Sequence, residues 1–452
     1  MNQELIKDGL IVSKTNPLTH NVEIGPSKHT ANALCGAFPL VDTVLVKNPP
    51  GTLDFLRFMN IFEGLGSKII YDETGSLSIQ NGELDITEPD KENVQKVRAS
   101  ILLLSATLLR TGHISMPLPE GDWPGSRPTS STLGVAEQFG VEIIQNGQSI
   151  SATLKKSEKK KRVMNVNNKV FATLAAMILA TGIGGETTIE NPLSSLEVDS
   201  LERFLIQLGA EITRIDDSNI KITSDGMNSL SNKIETVIPP DACETMFWIA
   251  YAKLHQMELS LDFPYWSERV TPKTFGPLYD MSGFMRHTHA IISGKGIRGL
   301  INKQDIRQLE PADIVFFDDK KGMPRDAAPA LAVLWGALDA ISTYYDDKYG
   351  IRRVEWMKEL RKVGAKVEYY YQENPARATI HGNKMYGYKP VHNQVVLNGT
   401  DIRSAASLVL AASTCETPVG VTGISHILRS YTKLPEKMSQ LGTKLHYISS
   451  QQ

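Results

Sequence analysis

A short phrase recurs six times along this chain of 452 residues and constrains its fold more than any other feature. In each copy an amphipathic stretch ends at a step, and a strand, a turn and a second strand follow. The step is His287 in a degenerate fourth copy and a glycine in the others, namely Gly66, Gly140, Gly209, Gly364 and Gly442. A period of about 75 residues is too long for a solenoid repeat, so each copy is predicted to be a complete small α/β unit.

The third copy predicts the order of elements within a repeat. Residues 171–180 are apolar nearly all round, which is typical of a helix buried on most sides. Residues 187–191 alternate like a strand, 200–208 carry one helical apolar stripe, and 210–214 with 219–223 form a predicted hairpin. We therefore expect an α/β fold of six repeats of β-α-β-α-β-β type, with the more apolar helices inside and the sheets outside.

Bulk composition narrows the class of protein. One hydrophobic core rarely grows past about 250–300 residues, so this length predicts two domains with three repeats each. The 48 basic and 50 acidic side chains nearly balance, which argues against nucleic acid or an anionic membrane as a partner. No signal peptide or apolar span is visible, and the three cysteines are far apart, which favours a cytoplasmic protein without disulfides or a cysteine zinc site.

Charged residues stand at the starts of the apolar helices. A carboxylate there usually caps the helix, which contributes about 0.5–2 kcal/mol. A cation there opposes the helix dipole unless a bound anion lies beside it. The carboxylates are Asp241, Asp326 and Asp401, and the cations are Lys28, Arg98 and Arg403. Three cations in matching positions indicate a polyanionic ligand in a shared cleft.

The loop 118–128 is the most unusual of the chain, because three prolines and two glycines surround Asp122 and Arg127. Its composition fits a rigid surface turn as well as a mobile lid that carries an acid and an anion-binding arginine.

The same segments carry a family resemblance. The motifs, in chain order, are Ser27-Lys28, Val-Arg-Ala-Ser at 97–100, the loop 118–128, Arg325-Asp326, the stretch 401–410 that begins Asp-Ile-Arg-Ser, and His-Ile-Leu-Arg-Ser-Tyr at 426–431. Together, on six repeats, they make the chain resemble an enolpyruvyl (1-carboxyvinyl) transferase, nearest to UDP-N-acetylglucosamine 1-carboxyvinyltransferase. The resemblance implies two inside-out α/β barrel-like domains with pseudo-threefold symmetry and a cleft between them. It places the first domain at 27–232 and the second at 1–26 plus 233–452.

The resemblance also implies a reaction, in which phosphoenolpyruvate (PEP) donates its carboxyvinyl group to an acceptor hydroxyl and phosphate leaves. PEP carries a carboxylate and a phosphate, so its site needs several fixed cations. The resemblance implies Lys28, Arg98, Arg127, Arg353, Arg403 and Arg429. Arg352 is the alternative to its neighbour Arg353. Lys28 counts among the catalytic residues as well as the cations.

Three carboxylates match catalytic positions of the family. Asp122 stands where the family has a catalytic cysteine and is the predicted acid that protonates C3 of PEP. Asp326 is the predicted base for the acceptor hydroxyl, and Asp401 is predicted to stabilise the cationic C2. Asp241 matches no motif and keeps its prediction as a helix cap. Because the family's cysteine is the target of fosfomycin, aspartate at 122 predicts a fosfomycin-insensitive enzyme.

The acceptor is left open by departures from the family pattern. His29 replaces an asparagine of the family. Three family motifs also differ, namely the one that follows Arg127, the one at 165–170 and the one at 350–353. A uridine-type nucleotide or nucleotide sugar is the expected acceptor, with UMP or shikimate 3-phosphate as alternatives. The shikimate alternative is weakened because Ala33 replaces that enzyme's arginine.

Two other classes remain open. An RNA 3′-phosphate cyclase-like enzyme shares the repeat type, but it should carry a histidine nucleophile and a basic face. A catalytically dead binding paralogue should lack several cations or Asp326 and Asp401, which are present. The expected partners are small molecules alone, with no cofactor, metal, nucleic acid or membrane, and the oligomeric state stays open.

Overall fold

The computed structural model of this chain describes residues 8–82, 84, 88–122, 128–155, 159–264, 289–293, 296–301, 314–316, 326, 328–338, 341–345, 354–373 and 377–448. The chain divides into two compact units. The first unit is Pro26–Pro239, and the second joins the chain up to Gly25 to the chain from Pro240 onward.

The first unit contains seven α-helices within the described residues. They are Lys28–Cys35, Leu53–Gly64, Lys91–Lys96, Leu103–Thr111, Ser130–Gln138, Val170–Ile183 and Leu196–Leu208. Short 3-10 helices cover Phe38–Leu40, Arg98–Leu102 and Met227–Ser229. The strands are Thr43–Val46, Lys68–Tyr71, Leu77–Gln80, His113–Pro117, Val141–Asn146, Ser149–Leu154, Lys160–Asn165, Gly185–Glu190, Glu211–Asp216, Asn219–Ser224 and Lys233–Thr236.

The second unit has the same mixture of elements. Its described α-helices are Ala242–Leu254, Ala328–Gly336, Ile402–Ala412, Ile424–Leu428 and Leu434–Gln440, with a 3-10 helix at Glu355–Val363. Its described strands are Gly9–Lys14, Asn21–Glu23, Leu259–Pro264, His289–Ser293, Gly296–Ile301, Ile314–Phe316, Ile341–Tyr345, Lys366–Tyr370, Arg377–His381, Val396–Asn398, Val419–Thr422 and Thr443–Ile448.

The third repeat has the predicted order of elements. Strand Lys160–Asn165 runs parallel to Gly185–Glu190, with the helix Val170–Ile183 between them in the chain. Gly185–Glu190 then pairs antiparallel with Asn219–Ser224, which completes its hairpin with Glu211–Asp216. The β-α-β-α-β-β prediction is therefore confirmed for this repeat, and the described strands form three sheets in each unit.

The helices differ in burial as their sequences predict. Every residue from 172 to 183 of the helix Val170–Ile183 is buried, and so is every residue of Ile402–Ala412. The helix Leu196–Leu208 instead buries one face through Val198, Leu201, Phe204, Leu205 and Leu208. The all-round apolar helices thus form the core of each unit, and the amphipathic helices cover it.

The repeated glycines share one backbone conformation. Gly66, Gly140, Gly209, Gly364 and Gly442 have φ between 87° and 110°. An L side chain rarely adopts this left-handed region, whereas glycine does so without steric cost. The glycine step is therefore the left-handed C-terminal stop of each amphipathic helix or helical turn. His287, the step of the fourth copy, lies outside the described residues.

Some strands complete sheets whose other strands come from distant parts of the chain. In the second unit, Asn21–Glu23 pairs with Leu259–Pro264, and Gly9–Lys14 lies between Val419–Thr422 and Thr443–Ile448. In the first unit, Lys233–Thr236 runs parallel to Thr43–Val46. The sequence predicts residues 233–239 to be in the second domain, but they lie in the first unit. The reason is that Lys233–Thr236 is an edge strand of a sheet of the first unit.

Among the described residues, no helix combines the length and the apolar character needed to cross a membrane.

Candidate active site

The first helix of the first unit begins with a buried lysine. Lys28 opens the helix Lys28–Cys35, whose N-cap Ser27 accepts a hydrogen bond from the backbone N–H of Thr30. The Nζ atom of Lys28 lies 3.1 Å from Oδ2 of Asp54, and the two side chains are only 10% and 4% exposed. His29, the next residue, is half-buried in the same helical turn.

Asp54 serves a second cation from within its own helix. It lies in the first turn of Leu53–Gly64, where a carboxylate interacts favourably with the helix dipole. Its Oδ1 atom lies 3.4 Å from Nη1 of Arg57. One buried carboxylate therefore neutralises two cations, which is how a charged group persists at low exposure.

Arg98 lies where predicted, at the start of the helical segment Arg98–Leu102 that continues as Leu103–Thr111. Its guanidinium donates to two loop carbonyls, Pro119 O at 3.0 Å and Pro128 O at 2.9 Å. The ring of Phe171 lies beneath it, 6.0 Å from Cζ. Asp122 is half-buried in the loop between those two carbonyls.

In the second unit, Arg403 is the counterpart of Lys28. It lies in the first turn of Ile402–Ala412 and is buried. Its Nη2 atom lies 3.3 Å from Oδ2 of Asp326, which is 35% exposed. Its Nη1 atom donates to the hydroxyl of Tyr431 at 3.0 Å.

The charge of Arg403 is maintained by its neighbours. Burial alone would lower the pKa of this guanidinium, but Cys243, Tyr431, Asp326 and Asp241 together raise it well above the ordinary value. Burial in turn raises the pKa of the Tyr431 phenol, so this partner stays neutral. The cluster therefore holds a permanent cation beside a carboxylate that solvent reaches.

Two carboxylates of the second unit cap helices. Asp401 accepts from the backbone N–H groups of Arg403 and Ser404, and the Ser404 hydroxyl accepts from Asp401 N, which makes a capping box. Asp241 accepts from the N–H groups of Cys243 and Glu244, so its prediction as a cap is confirmed. The catalytic role predicted for Asp401 stays a prediction beside its observed cap.

Arg429 follows the short helix Ile424–Leu428 and is buried. The first turn of that helix is held by the N-terminal strand region, because Ser425 N and Oγ both donate to the carboxylate of Asp8. Arg127, Arg352 and Arg353, and the motif residue Arg325, lie outside the described residues.

Two residues that contact the predicted cations were not predicted from the sequence. Asp54 is the counter-charge of Lys28, and a signal was available, because its position continues the apolar stripe formed with Phe58 and Phe62. A carboxylate on the buried face of a helix requires a partner. Phe171 under Arg98 had no such signal, since it reads as an ordinary core residue.

Comparison with known proteins gives a family match. The family model of EPSP synthase (3-phosphoshikimate 1-carboxyvinyltransferase) matches residues 12–262 and 331–438. UDP-N-acetylglucosamine 1-carboxyvinyltransferase of Fervidobacterium nodosum is 28% identical over 445 residues, covering 97% of this chain and 98% of that protein. UDP-N-acetylglucosamine 1-carboxyvinyltransferase 3 of Symbiobacterium thermophilum is 26% identical over 434 residues, covering 94% and 95%.

Solved structures share the fold. The enolpyruvyl transferase NikO from Streptomyces tendae superposes with a TM-score of 0.81 at 20% identity, covering 97% of this chain and 99% of that one. EPSP synthase from Acinetobacter baumannii superposes with a TM-score of 0.73 at 15% identity, covering 98% and 100%. The mixed α/β fold expected from the repeats is therefore that of these proteins.

Proposed function

This chain belongs to the EPSP synthase (3-phosphoshikimate 1-carboxyvinyltransferase) family, and from that membership we propose that it transfers the enolpyruvyl group of PEP to a hydroxyl of a uridine-type nucleotide or nucleotide sugar. Membership makes it a carboxyvinyltransferase family enzyme, which uses PEP and a hydroxyl acceptor. The choice of a uridine-type acceptor is supported by the two UDP-N-acetylglucosamine 1-carboxyvinyltransferases that match nearly the whole chain.

The observation that carries the proposal is the buried cation in the first turn of a helix in each unit. Lys28 and Arg403 are both buried, and each lies beside backbone N–H groups at a helix start. Such positions attract anions, because the helix dipole adds to the side-chain charge. PEP has two anionic groups, so it needs fixed cations of this kind.

The reaction follows by addition and elimination. The acceptor oxygen attacks C2 of PEP while C3 gains a proton from Asp122 and Asp326 takes the hydroxyl proton. A tetrahedral adduct forms, in which C2 holds the acceptor oxygen, the carboxylate, the methyl group and the phosphate. Loss of a C3 proton then restores the double bond as inorganic phosphate leaves from C2.

The other polar groups assist this sequence. Asp401 stabilises positive charge that develops at C2, since a carboxylate near a cationic centre lowers its energy. The anionic groups are held by cations, namely Lys28, Arg98, Arg127, Arg403, Arg429 and either Arg352 or Arg353. His29 contacts the acceptor.

The test is phosphate release from PEP with UDP-N-acetylglucosamine, UMP and shikimate 3-phosphate supplied separately. We expect release with a uridine compound, and a PEP-only control should give none. Release with shikimate 3-phosphate alone would contradict the uridine-type acceptor. Binding of PEP without release in any arm would contradict catalysis and favour a binding paralogue.

A further inference from the structure

The two ends of the loop 118–128 meet at one guanidinium. Arg98 donates from Nη1 to Pro119 O at 3.0 Å and from Nη2 to Pro128 O at 2.9 Å. These carbonyls lie on either side of Asp122 in the chain. Hydrogen bonds from a charged donor are about twice as strong as neutral ones. Arg98 therefore closes the base of the loop that carries the predicted acid.

The backbone before Asp122 also lies directly against Arg98. Glu120 N and Gly121 N both donate to Gln95 O, at 2.9 and 3.0 Å. Gly121 has φ of 82°, and a Cβ added there would lie 2.9 Å from Cβ of Arg98. The approach is so close that only glycine fits, which brings the neighbouring Asp122 to a set place beside Arg98.

The orientation of the guanidinium is itself constrained. Two of its nitrogens donate to carbonyls, and its Cζ atom lies over the ring of Phe171, 6.0 Å from the centroid. A rigid planar fork suits this combination, whereas a lysine ammonium is a single point charge that cannot bond both carbonyls in the same way.

We propose that Arg98 is a positioning residue that holds both ends of the loop 118–128 and thereby sets the place of Asp122 for proton transfer. The inference rests on the proposed function for the chemistry, and it adds a role to Arg98 beyond anion binding. A proton donor must lie within hydrogen-bond reach of the atom that it protonates, so a displaced loop slows the chemical step.

The first test separates kcat from KM. Arg98→Lys keeps the charge but loses the fork, so we expect kcat to fall about 100-fold with less than about a threefold change in KM for PEP. Arg110→Lys is the matched control, because Arg110 also donates to backbone carbonyls of this unit, at Pro39, Asn81 and Gly82. A raised KM with kcat unchanged would show an anion ligand alone and overturn the proposal.

A double-mutant cycle tests whether Arg98 acts through Asp122. In an Asp122→Asn background the proton donor is already lost, so adding Arg98→Lys should lower kcat less than about threefold further. A purely structural role of Arg98 predicts the same loss in both backgrounds. Independent, additive losses would therefore overturn the proposal.

Hydrogen exchange gives a readout that needs no turnover. Arg98→Lys should speed exchange of the Glu120 and Gly121 amides about tenfold or more, while Arg110→Lys should leave them unchanged. If the native protein releases no phosphate, the proposed function fails, yet this exchange still decides whether Arg98 holds the loop. Equal exchange in wild type and Arg98→Lys overturns the positioning role.

Discussion

The helix starts at Lys28 in the first unit and at Arg403 in the second have the same arrangement of charges. They differ in how exposed the carboxylate partner of the cation is. Each places a buried cation in a first helical turn beside a carboxylate from elsewhere in its unit. The partner of Lys28, Asp54, is 4% exposed and also pairs with Arg57. The partner of Arg403, Asp326, is 35% exposed.

From this difference in exposure we infer a structural role for Asp54, and it supports the reactive role proposed for Asp326. Asp54 is buried beside two cations, which favours a structural role over proton exchange with a substrate. Asp326 lies beside Arg403 and remains 35% exposed. We therefore expect the first helix start to act in anion binding and the second to combine anion binding with proton transfer. Four predictions test this contrast.

The largest effect is expected at the open carboxylate. Asp326→Asn removes the proposed base, and kcat should fall about 1000-fold, while the free energy of unfolding should fall less than in Asp54→Asn. Steady-state phosphate release and chemical denaturation measure the two quantities. Glu373→Gln, which breaks an exposed pair with Arg377, is the control and should retain full activity. Wild-type turnover in Asp326→Asn would remove Asp326 from the chemistry.

Asp122 extends the contrast, because it is a half-buried carboxylate of the first unit that is expected to react. A carboxylate is a poor nucleophile towards an epoxide, so the wild-type enzyme should keep its activity in fosfomycin. Asp122→Cys should become sensitive, with the adduct located by peptide mass spectrometry. Stoichiometric inactivation of the wild-type enzyme would refute this prediction.

The enclosed carboxylate should matter mainly for stability. Asp54→Asn leaves Lys28 and Arg57 without their counter-charge, and we expect a loss of about 3 kcal/mol in the free energy of unfolding. Asp42→Asn removes a carboxylate of the same unit that is 59% exposed beside Arg110, and it should cost less than about 1 kcal/mol. Urea denaturation compares the two variants. Equal costs would mean that burial does not distinguish Asp54.

The smallest expected effect is the loss of stability at acidic pH caused by one histidine of the second unit. His255 is stacked on Tyr251 and bonded to Ser413 Oγ at 3.0 Å. Burial, with a smaller effect of Lys14, lowers its pKa from 6.5 to about 3. The unfolded chain therefore binds more protons than the folded one between these values, and stability falls as pH falls through that window.

Between pH 6 and pH 5 the expected loss from His255 is about 1 kcal/mol. His255→Gln should flatten this dependence in denaturation curves recorded at both pH values. An unchanged pH slope in His255→Gln would contradict the assignment.

Much of the architecture could be predicted because it is written in local patterns. The step glycines predicted the helix ends, and all five adopt the left-handed conformation that stops a helix. The polar residues before apolar runs predicted the helix starts at Lys28, Arg98 and Ile402. Such features depend on residues within one or two turns of each other, so a single sequence reveals them.

The partners of these charges could not be predicted in the same way. Lys28 and Asp54 are 26 residues apart in the chain, and Arg403 and Asp326 are 77 apart. No period in the sequence links such pairs, because packing of separate elements brings them together. The domain boundary near 233 was misplaced for the same reason, since Lys233–Thr236 pairs with a strand near the beginning of the unit.

The sequence by itself determined the six repeats, the buried helices and the charged residues at their starts. The tertiary structure decided which carboxylate each cation meets and how far water reaches it. The physical reason is that helix periodicity and turn chemistry are local, whereas exposure and ion pairing depend on every element packed around a side chain. Asp54 and Asp326 are the same residue type, and only their packing separates a structural partner from a proposed base.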